Sequence, residues 1–507
     1  MPEFPPEIYL AIFSFLDARS LTSCQQVCQS FLALINEMVA LEYTKELARH
    51  GYVDHAAALP LPYRLDQLRE HNNAWNKLDG VWSNSIPKLP VDSRVLSGNV
   101  LGRSGAPGSL VFTRLSSSSR FVRQKEWSVP LPGSHICSFG IDSSQNLLVL
   151  VEWPREPNPS FQIHLCSMSS GKAHELASVP ILKYPHNVPE YMIFISIQIS
   201  GDHLGIEFRD NDATPQLVIW NWKTGHEELY LIGNEIRSFA FLTERHVIVA
   251  ASTDTELRLL VVDFIAESSE QTFVTNMTHY LALHLPNLYP SPILVHFTIR
   301  CDPSPAWPNQ DDSIPFHVHP DEILYPVALT MVQGLLEQYW IIILIPRRTL
   351  LAQLRHFLTR TKEVEWSAWG PEGTRILDFR KRAGRDVVWA TFGSRFIAFD
   401  DKYVDVDVYD FNQMSLKREL SSRCSLQYGD PNEILRPPVG QDDPTMLVID
   451  ETVLPSDSLI FQEEVRTSLP FRARTVPTTF EREHYCPLLC SLDNIIVVSS
   501  EYHVFTL

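Results

Sequence analysis

A few short stretches of the chain hold side chains of the kinds that bind metal or move protons. His484, Cys486 and Cys490 are ligand types that zinc accepts. A lone Cys-x-x-x-Cys without a second pair is a weak match to a four-ligand site, and free cysteine is usually core, so buried small hydrophobes on a late strand are the simpler reading. Cys24 and Cys28 fall four apart, the spacing of one helix face, where metal or redox chemistry competes with packing. Asp405, Asp407 and Asp410 offer oxygen ligands of the kind calcium takes. They alternate with Val404, Val406 and Val408, so a strand with one solvated face accounts for Asp405 and Asp407. Gly171-Lys172 lacks the upstream glycine of a phosphate-binding loop, and His174-Glu175 lacks the second histidine of a metalloprotease helix. No Gly-x-Ser-x-Gly elbow and no motif of paired channel carboxylates for glycan hydrolysis occurs. The expectation is a non-catalytic chain without cofactor or metal. A glycan-hydrolysing enzyme is the weakest of the functional readings.

Two basic islands, Arg347-Arg348 with Arg355 and Arg380-Lys381-Arg382 with Arg385, stand out in an acidic chain. Solvated turns are the default for them; the alternative is recognition of an acidic or phosphorylated segment. The formal net charge of −18 argues against nucleic acid as a partner, because phosphate binding needs clustered Lys and Arg. Eight cysteines in 507 residues form no disulfide framework. The N-terminus has no basic segment followed by a small-residue cleavage site. The longest apolar run, Trp340-Ile341-Ile342-Ile343-Leu344-Ile345, is far short of the ~20 residues of a membrane span and reads as a buried strand. These features predict a protein of the cytoplasm or nucleus, away from membranes. The sequon Asn276-Met277-Thr278 matters only in a secreted chain.

The elements begin with helices. Pro5 and Pro6 suit a helix start, and Glu7 sits where the helix dipole favours a negative charge. Ile8, Tyr9, Ile12, Phe13, Phe15 and Leu16 make a broad apolar stripe. Ser20 is the predicted N-cap of a second helix, and Val27, Phe31, Leu34, Ile35 and Met38 repeat at helical spacing. Asn36 to His50 is expected to continue as helix to a C-cap at Gly51. Stripes this wide on helices this short exceed what a small helical tip buries by itself. Either the domain behind covers them or a partner does.

The stretch resembles the F-box, whose outline is Leu-Pro-x-Glu-Ile/Leu, Ile-Phe-x-x-Leu, a Leu, then Val-Cys-x-x-Trp/Phe. Here those positions are Phe4-Pro5-Pro6-Glu7-Ile8, Ile12-Phe13-Ser14-Phe15-Leu16, Leu21 and Val27-Cys28-Gln29-Ser30-Phe31. Phe4 stands where Leu is usual and Phe31 where Trp is commoner; both keep a large apolar group. The resemblance covers under a tenth of the chain. It implies a three-helix motif that docks on the Skp adaptor and, through it, on SCF-type cullin–RING ubiquitin ligases. It also implies Phe4, Pro5, Ile8, Ile12, Phe13, Leu16, Leu21, Val27 and Phe31 as adaptor-binding residues. The segment Arg64-Leu65-x-x-Leu68-Arg69-x-His71-x-x-Ala74-Trp75 is similar to the linker that follows the F-box in many fungal F-box proteins. Function then follows as an expectation: a receptor subunit presenting a protein substrate for ubiquitin transfer. The rival within the family is a scaffold that binds the adaptor outside ubiquitination.

Residues 51–80 read as a turn-rich connector and a helix from Tyr63 to Leu78. From about Val81 the apolar period changes from 3.6 to 2. Hairpins at 136–151, 195–208, 236–251 and 387–399 are each followed by a further strand, and Glu365 to Trp369 with Arg375 to Phe379 reads as another hairpin. The unit recurs every ~40–57 residues, the spacing of four-stranded propeller blades. Leu217 to Gly225 resembles a degenerate WD-repeat strand, although no Trp-Asp dipeptide occurs. The predicted architecture is therefore mainly β with a small all-α start. F-box helices span 1–50, a helical linker 51–80, and a β-propeller of about seven or eight blades 81–507. A set of β-sandwiches is the main structural alternative. Ala266 to Asp321, including the loop Pro303 to Asp312, is weakly patterned, and Asp430 to Pro444 reads as loop; both are expected to be insertions rather than sites.

Overall fold

The computed structural model describes residues 4–507 apart from 56–58, 79–81, 89–92, 106–107, 118–121, 133–134, 155–159, 186–193, 211–213, 254–255, 268, 290–292, 307–314, 334–336, 359–362, 380–386, 400–404, 427–445, 459 and 478–486. Helices α1 (Pro6–Phe13), α2 (Ala18–Gln25), α3 (Gln29–Glu37) and α4 (Val39–His50) open the chain, and α5 (Leu61–Lys77) follows a short strand, Tyr52–Asp54. Pro6 takes the first turn of α1, where its missing N–H costs nothing. The cap of α2 is Asp17, not Ser20: its Oδ1 accepts the Ser20 backbone N–H at 2.7 Å. That hydrogen bond holds the Asp17 carboxyl below its usual range. The expected continuous helix from Asn36 breaks at Met38, whose extended backbone separates α3 from α4. Gly51 ends α4 with φ +71°, a left-handed turn that also brings the backbone close to Glu322, so a Cβ there would lie 2.9 Å from that side chain.

The remainder is a seven-bladed β-propeller. Blades 1 to 6 span residues 94–130, 136–185, 194–232, 236–284, 293–378 and 388–477 in chain order, each built on a four-stranded antiparallel meander. Blade 7 joins the two ends of the domain. Leu488–Cys490, Asn494–Val498 and Glu501–Thr506 supply three strands, and Trp82–Pro87 adds the outermost, pairing antiparallel from Trp82↔Phe505 to Pro87↔Glu501. The ring is thus held shut by backbone hydrogen bonds between segments more than 400 residues apart. Strand 337–346 is the buried strand its apolar run predicts, with Ile341 to Ile345 fully enclosed.

Aromatic residues fill the wedges between blades. Trp222, from the WD-like segment, is fully buried between blades 2 and 3. Its Nε1–H donates to the Gly201 carbonyl at 2.9 Å, and the His174 ring meets it edge-on at 4.9 Å. Where the chain departs from expectation, packing is the cause. Trp366–Gly373 is a helix, α7, not the first strand of a hairpin. Its Trp369 is buried and donates from Nε1 to the His284 carbonyl at 3.1 Å, fastening the insertion across blade 4. Two further insertion helices, α6 (Arg347–Leu358) and α8 (Gln413–Leu426), interrupt blades 5 and 6. The weakly patterned stretch holds real blade strands, Tyr280–His284 and Ile293–Ile299. Asp430 to Pro444, part of Pro303 to Asp312, and the Arg380 to Arg385 island lie outside the described residues.

Trp222→Ala is expected to cost about 3–5 kcal/mol in denaturant unfolding; a loss below about 1 kcal/mol would contradict the wedge role. Glu207, in blade 3, is buried with one carboxylate oxygen lacking a partner among the described residues, and burial pushes its carboxyl up despite the Arg209 ion pair. Stability from a group with a raised folded pKa is full below the unfolded pKa and lost as pH rises through the folded one. Glu207→Gln should therefore gain stability relative to the parent as pH rises from about 5 to 8. A difference in Tm that stays flat over that range would refute this.

Candidate functional site: an exposed helical face anchored on the propeller

The opening helices pack around a small core of their own. Phe13, Leu21, Ile35 and Leu41 are buried, and Tyr9, Leu10, Leu16, Cys24, Phe31 and Leu34 lie against them. The Phe31 ring sits 5.0 Å from Tyr9 and 5.1 Å from Phe13, centroid to centroid. This core divides the nine residues implied as adaptor-binding. Phe13 and Leu21 are enclosed, and Leu16 and Phe31 are half-buried against them. Phe4, Pro5, Ile8, Ile12 and Val27 are exposed, Val27 at 68%.

Sequence reading of the site omitted one residue that the geometry singles out. Phe15, just past the end of α1, is 89% exposed. Ile8, Ile12 and Phe15 are spaced i, i+4, i+7, so they follow one face of the helical turn. Leu32 on α3 is exposed as well. The signal was present in the apolar stripe; what the stripe does not reveal is which of its members turn inward. None of these exposed side chains is covered by the described propeller residues.

Behind this face, α4 and α5 tie the helices to the ring. Strand Tyr52–Asp54 pairs antiparallel with Phe316–Val318 from an insertion of blade 5. The Tyr43 hydroxyl donates toward Asp54 at 3.0 Å and the Pro315 carbonyl at 3.1 Å; burial pushes its pKa up. Arg64 clamps the Asp54 carboxylate with contacts of 2.7 and 2.9 Å. Deeper in, the Trp75 Nε1–H donates to the Leu492 carbonyl at 2.9 Å. The Arg395 guanidinium from blade 6 stacks 4.0 Å over the Trp75 ring and donates to the Tyr52 hydroxyl at 3.2 Å. Tyr52 Oη lies 3.0 Å from His71 Nε2, and His71 Nδ1 lies 3.5 Å from Asp493 Oδ1, both side chains fully enclosed. Leu65, Leu68 and Trp75 belong to the same apolar core as the strands of blades 4 to 7.

The contacting turns share one face of the ring. Phe316–Val318 and Glu322 lie between the first and second strands of blade 5, Asn412 between the third and fourth of blade 6, and Leu492 and Asp493 between the first and second of blade 7. In antiparallel meanders these connections emerge at the same end.

The other sequence candidates do not assemble into a site. Cys24 ends inside α2 and Cys28 precedes α3 as its cap, so the two do not share one helix face. Cys490 is buried on its strand, with burial pushing its thiol up, while His484 and Cys486 lie outside the described residues. Asp407 accepts from the Thr475 hydroxyl at 2.7 Å and Asp410 from Ser394 at 2.9 Å, each in a separate local contact. His174 Nε2 sits 3.0 Å from the Gln145 carbonyl in a buried turn. Arg347 is not a solvated turn residue: it donates to the Leu242 carbonyl at 3.0 Å and pairs with Asp321, linking blades 4 and 5. Among the described residues, no group of three His, Cys, Asp or Glu side chains could hold a metal ion, and no helix is long and apolar enough to cross a membrane.

Residues 1–41 match the family model described as F-box-like. The chain thus carries an F-box-like domain ahead of a C-terminal seven-bladed propeller. No curated protein matches it. Among solved structures, Sqt1 from Chaetomium thermophilum aligns over 82% of this chain and 83% of its own, at 10% identity and TM-score 0.35. The WD40 domain of SCAP from fission yeast aligns over 83% and 94%, at 8% identity and TM-score 0.34. The uncharacterized protein lmo1340 from Listeria monocytogenes EGD-e aligns over 65% and 80%, at 8% identity and TM-score 0.31. At those scores the likeness adds nothing to what the sheet topology already establishes.

Trp75→Ala removes both the hydrogen bond to Leu492 and the platform under Arg395. It is expected to destabilise the junction by about 3–5 kcal/mol and to open residues 50–80 to limited proteolysis. Unchanged cleavage kinetics would argue against the anchor.

Proposed function

We propose that this F-box protein is the substrate-receptor subunit of an SCF-type cullin–RING ubiquitin ligase. The observation that carries this reading is the apolar face left uncovered on the F-box helices: Phe4, Pro5, Ile8, Ile12, Phe15 and Val27. Holding a large apolar side chain in water forgoes about 1.5–3 kcal/mol, so a face of this size favours a partner. The Skp adaptor is the partner that the F-box implies. In this assignment Phe13, Leu16, Leu21 and Phe31 shape the face from beneath, and the exposed residues make the contact.

The chain forms or breaks no bond in this scheme. Its contribution is proximity: the propeller holds a protein substrate, the F-box holds the ligase, and the packed junction fixes the distance between them. That raises the effective concentration of a substrate lysine at the charged ubiquitin-conjugating enzyme.

The test is a pull-down of the full chain with purified Skp adaptor, with Ile12→Asp and Val27→Asp beside it. Both positions are exposed, so the variants should keep the parent Tm while adaptor affinity falls at least ~100-fold, because each buries an unpaired charge in the contact. Full-strength binding by either folded variant would remove that residue from the interface. Adaptor binding without cullin co-purification would favour a scaffold outside ubiquitination.

A further inference from the structure

A cavity of about 280 Å³ lies where α5 ends against blade 6 and α8. Trp75, Asn76 and Leu78 line it from α5, Arg395, Val408, Asp410, Arg472 and Arg474 from blade 6, and Glu419 from α8. Three guanidinium groups and two carboxylates therefore face one space. Arg472 is paired with Glu419. Arg474 donates to the Asn76 carbonyl, a neutral acceptor. Arg395 is nine-tenths buried, and the Tyr52 contact is the one hydrogen bond of its guanidinium among the described residues. Asp410 already accepts from Ser394 and from the Asn412 backbone N–H on one oxygen. It is left as the single carboxylate facing both Arg395 and Arg474.

The charge count leaves one positive charge over, and the spare N–H donors are forks of the kind that bind two oxygens at once. We propose that this cavity binds a small oxyanion, a phosphoryl or carboxylate group, between Arg395 and Arg474. The bound anion complements the two guanidiniums and bridges the end of α5 to blade 6, beside α8. It thereby stiffens the joint between the F-box helices and the propeller. The assignment is independent of the adaptor interface, which lies on α1 to α3.

Inorganic phosphate and citrate are the probes, added to the full chain against chloride at matched ionic strength. Thermal unfolding reads binding, and hydrogen exchange reads its place. Phosphate or citrate is expected to raise Tm in a saturable way and to slow exchange in residues 72–78 and 413–420. A stronger response to phosphate assigns a phosphoryl ligand, and a stronger response to citrate a carboxylate. Arg474→Gln, at a partly exposed position, is expected to weaken the apparent affinity at least tenfold. Arg466→Gln, on a distant exposed hairpin, is expected to leave it unchanged. No response beyond chloride, an unchanged affinity in Arg474→Gln, or slowed exchange spread evenly over the chain would each overturn the proposal and leave a water-filled cavity.

Discussion

The arrangement of this molecule depends on one buried contact, the Arg395 guanidinium stacked on Trp75 and bonded to the Tyr52 hydroxyl. A charge enclosed this deeply is costly unless it is compensated. Burial works against the charged form here, and the Tyr52 hydroxyl and Asp410 carboxylate more than offset it. The three partners come from the β-strand after α4, from α5 and from blade 6. Satisfying the charge therefore requires all three to be in register. His71 and Asp493, both fully enclosed, extend the polar set to blade 7. A polar network of this kind specifies a single arrangement, because any shift strands a group without its partner.

That constraint has a mechanical consequence. The F-box helices have their own small core, and α4 and α5 share theirs with the ring. Apolar burial supplies most of the attachment, while the strand pairing at Phe316–Val318 and the hydrogen bond from Trp75 set its direction. The exposed apolar face thus projects from a fixed base. In the proposed receptor role, which works by proximity, a fixed base matters as much as the contact face itself.

Closure of the ring is the second long-range dependence. Trp82–Pro87 follows α5 directly and completes blade 7. Helix α5 and the closing strand are therefore successive parts of one segment. Loss of order in α5 would be felt at the ring seam as well as at the F-box.

The sequence by itself determined a good deal. Spacing of Pro5, Ile8, Ile12, Phe13, Leu21 and Val27 specified the opening helices and their F-box-like pattern, because helix starts and apolar stripes are local properties. The change to a two-residue period specified the blades, because alternation on a strand is local too. Local pattern misled where a neighbour decides: Glu365 to Trp369 reads as a strand before a turn at Pro371 to Gly373, but Trp366–Gly373 coils into one helix that seats Trp369. Asp17 caps α2 in place of Ser20 because its backbone there is extended, a choice made within one turn. Tertiary structure alone decided which apolar residues of the F-box face inward, that Arg347 links blades, and that Arg395 meets Trp75. Those outcomes join residues up to hundreds of positions apart, and long-range pairing leaves no periodic trace in the residues that make it.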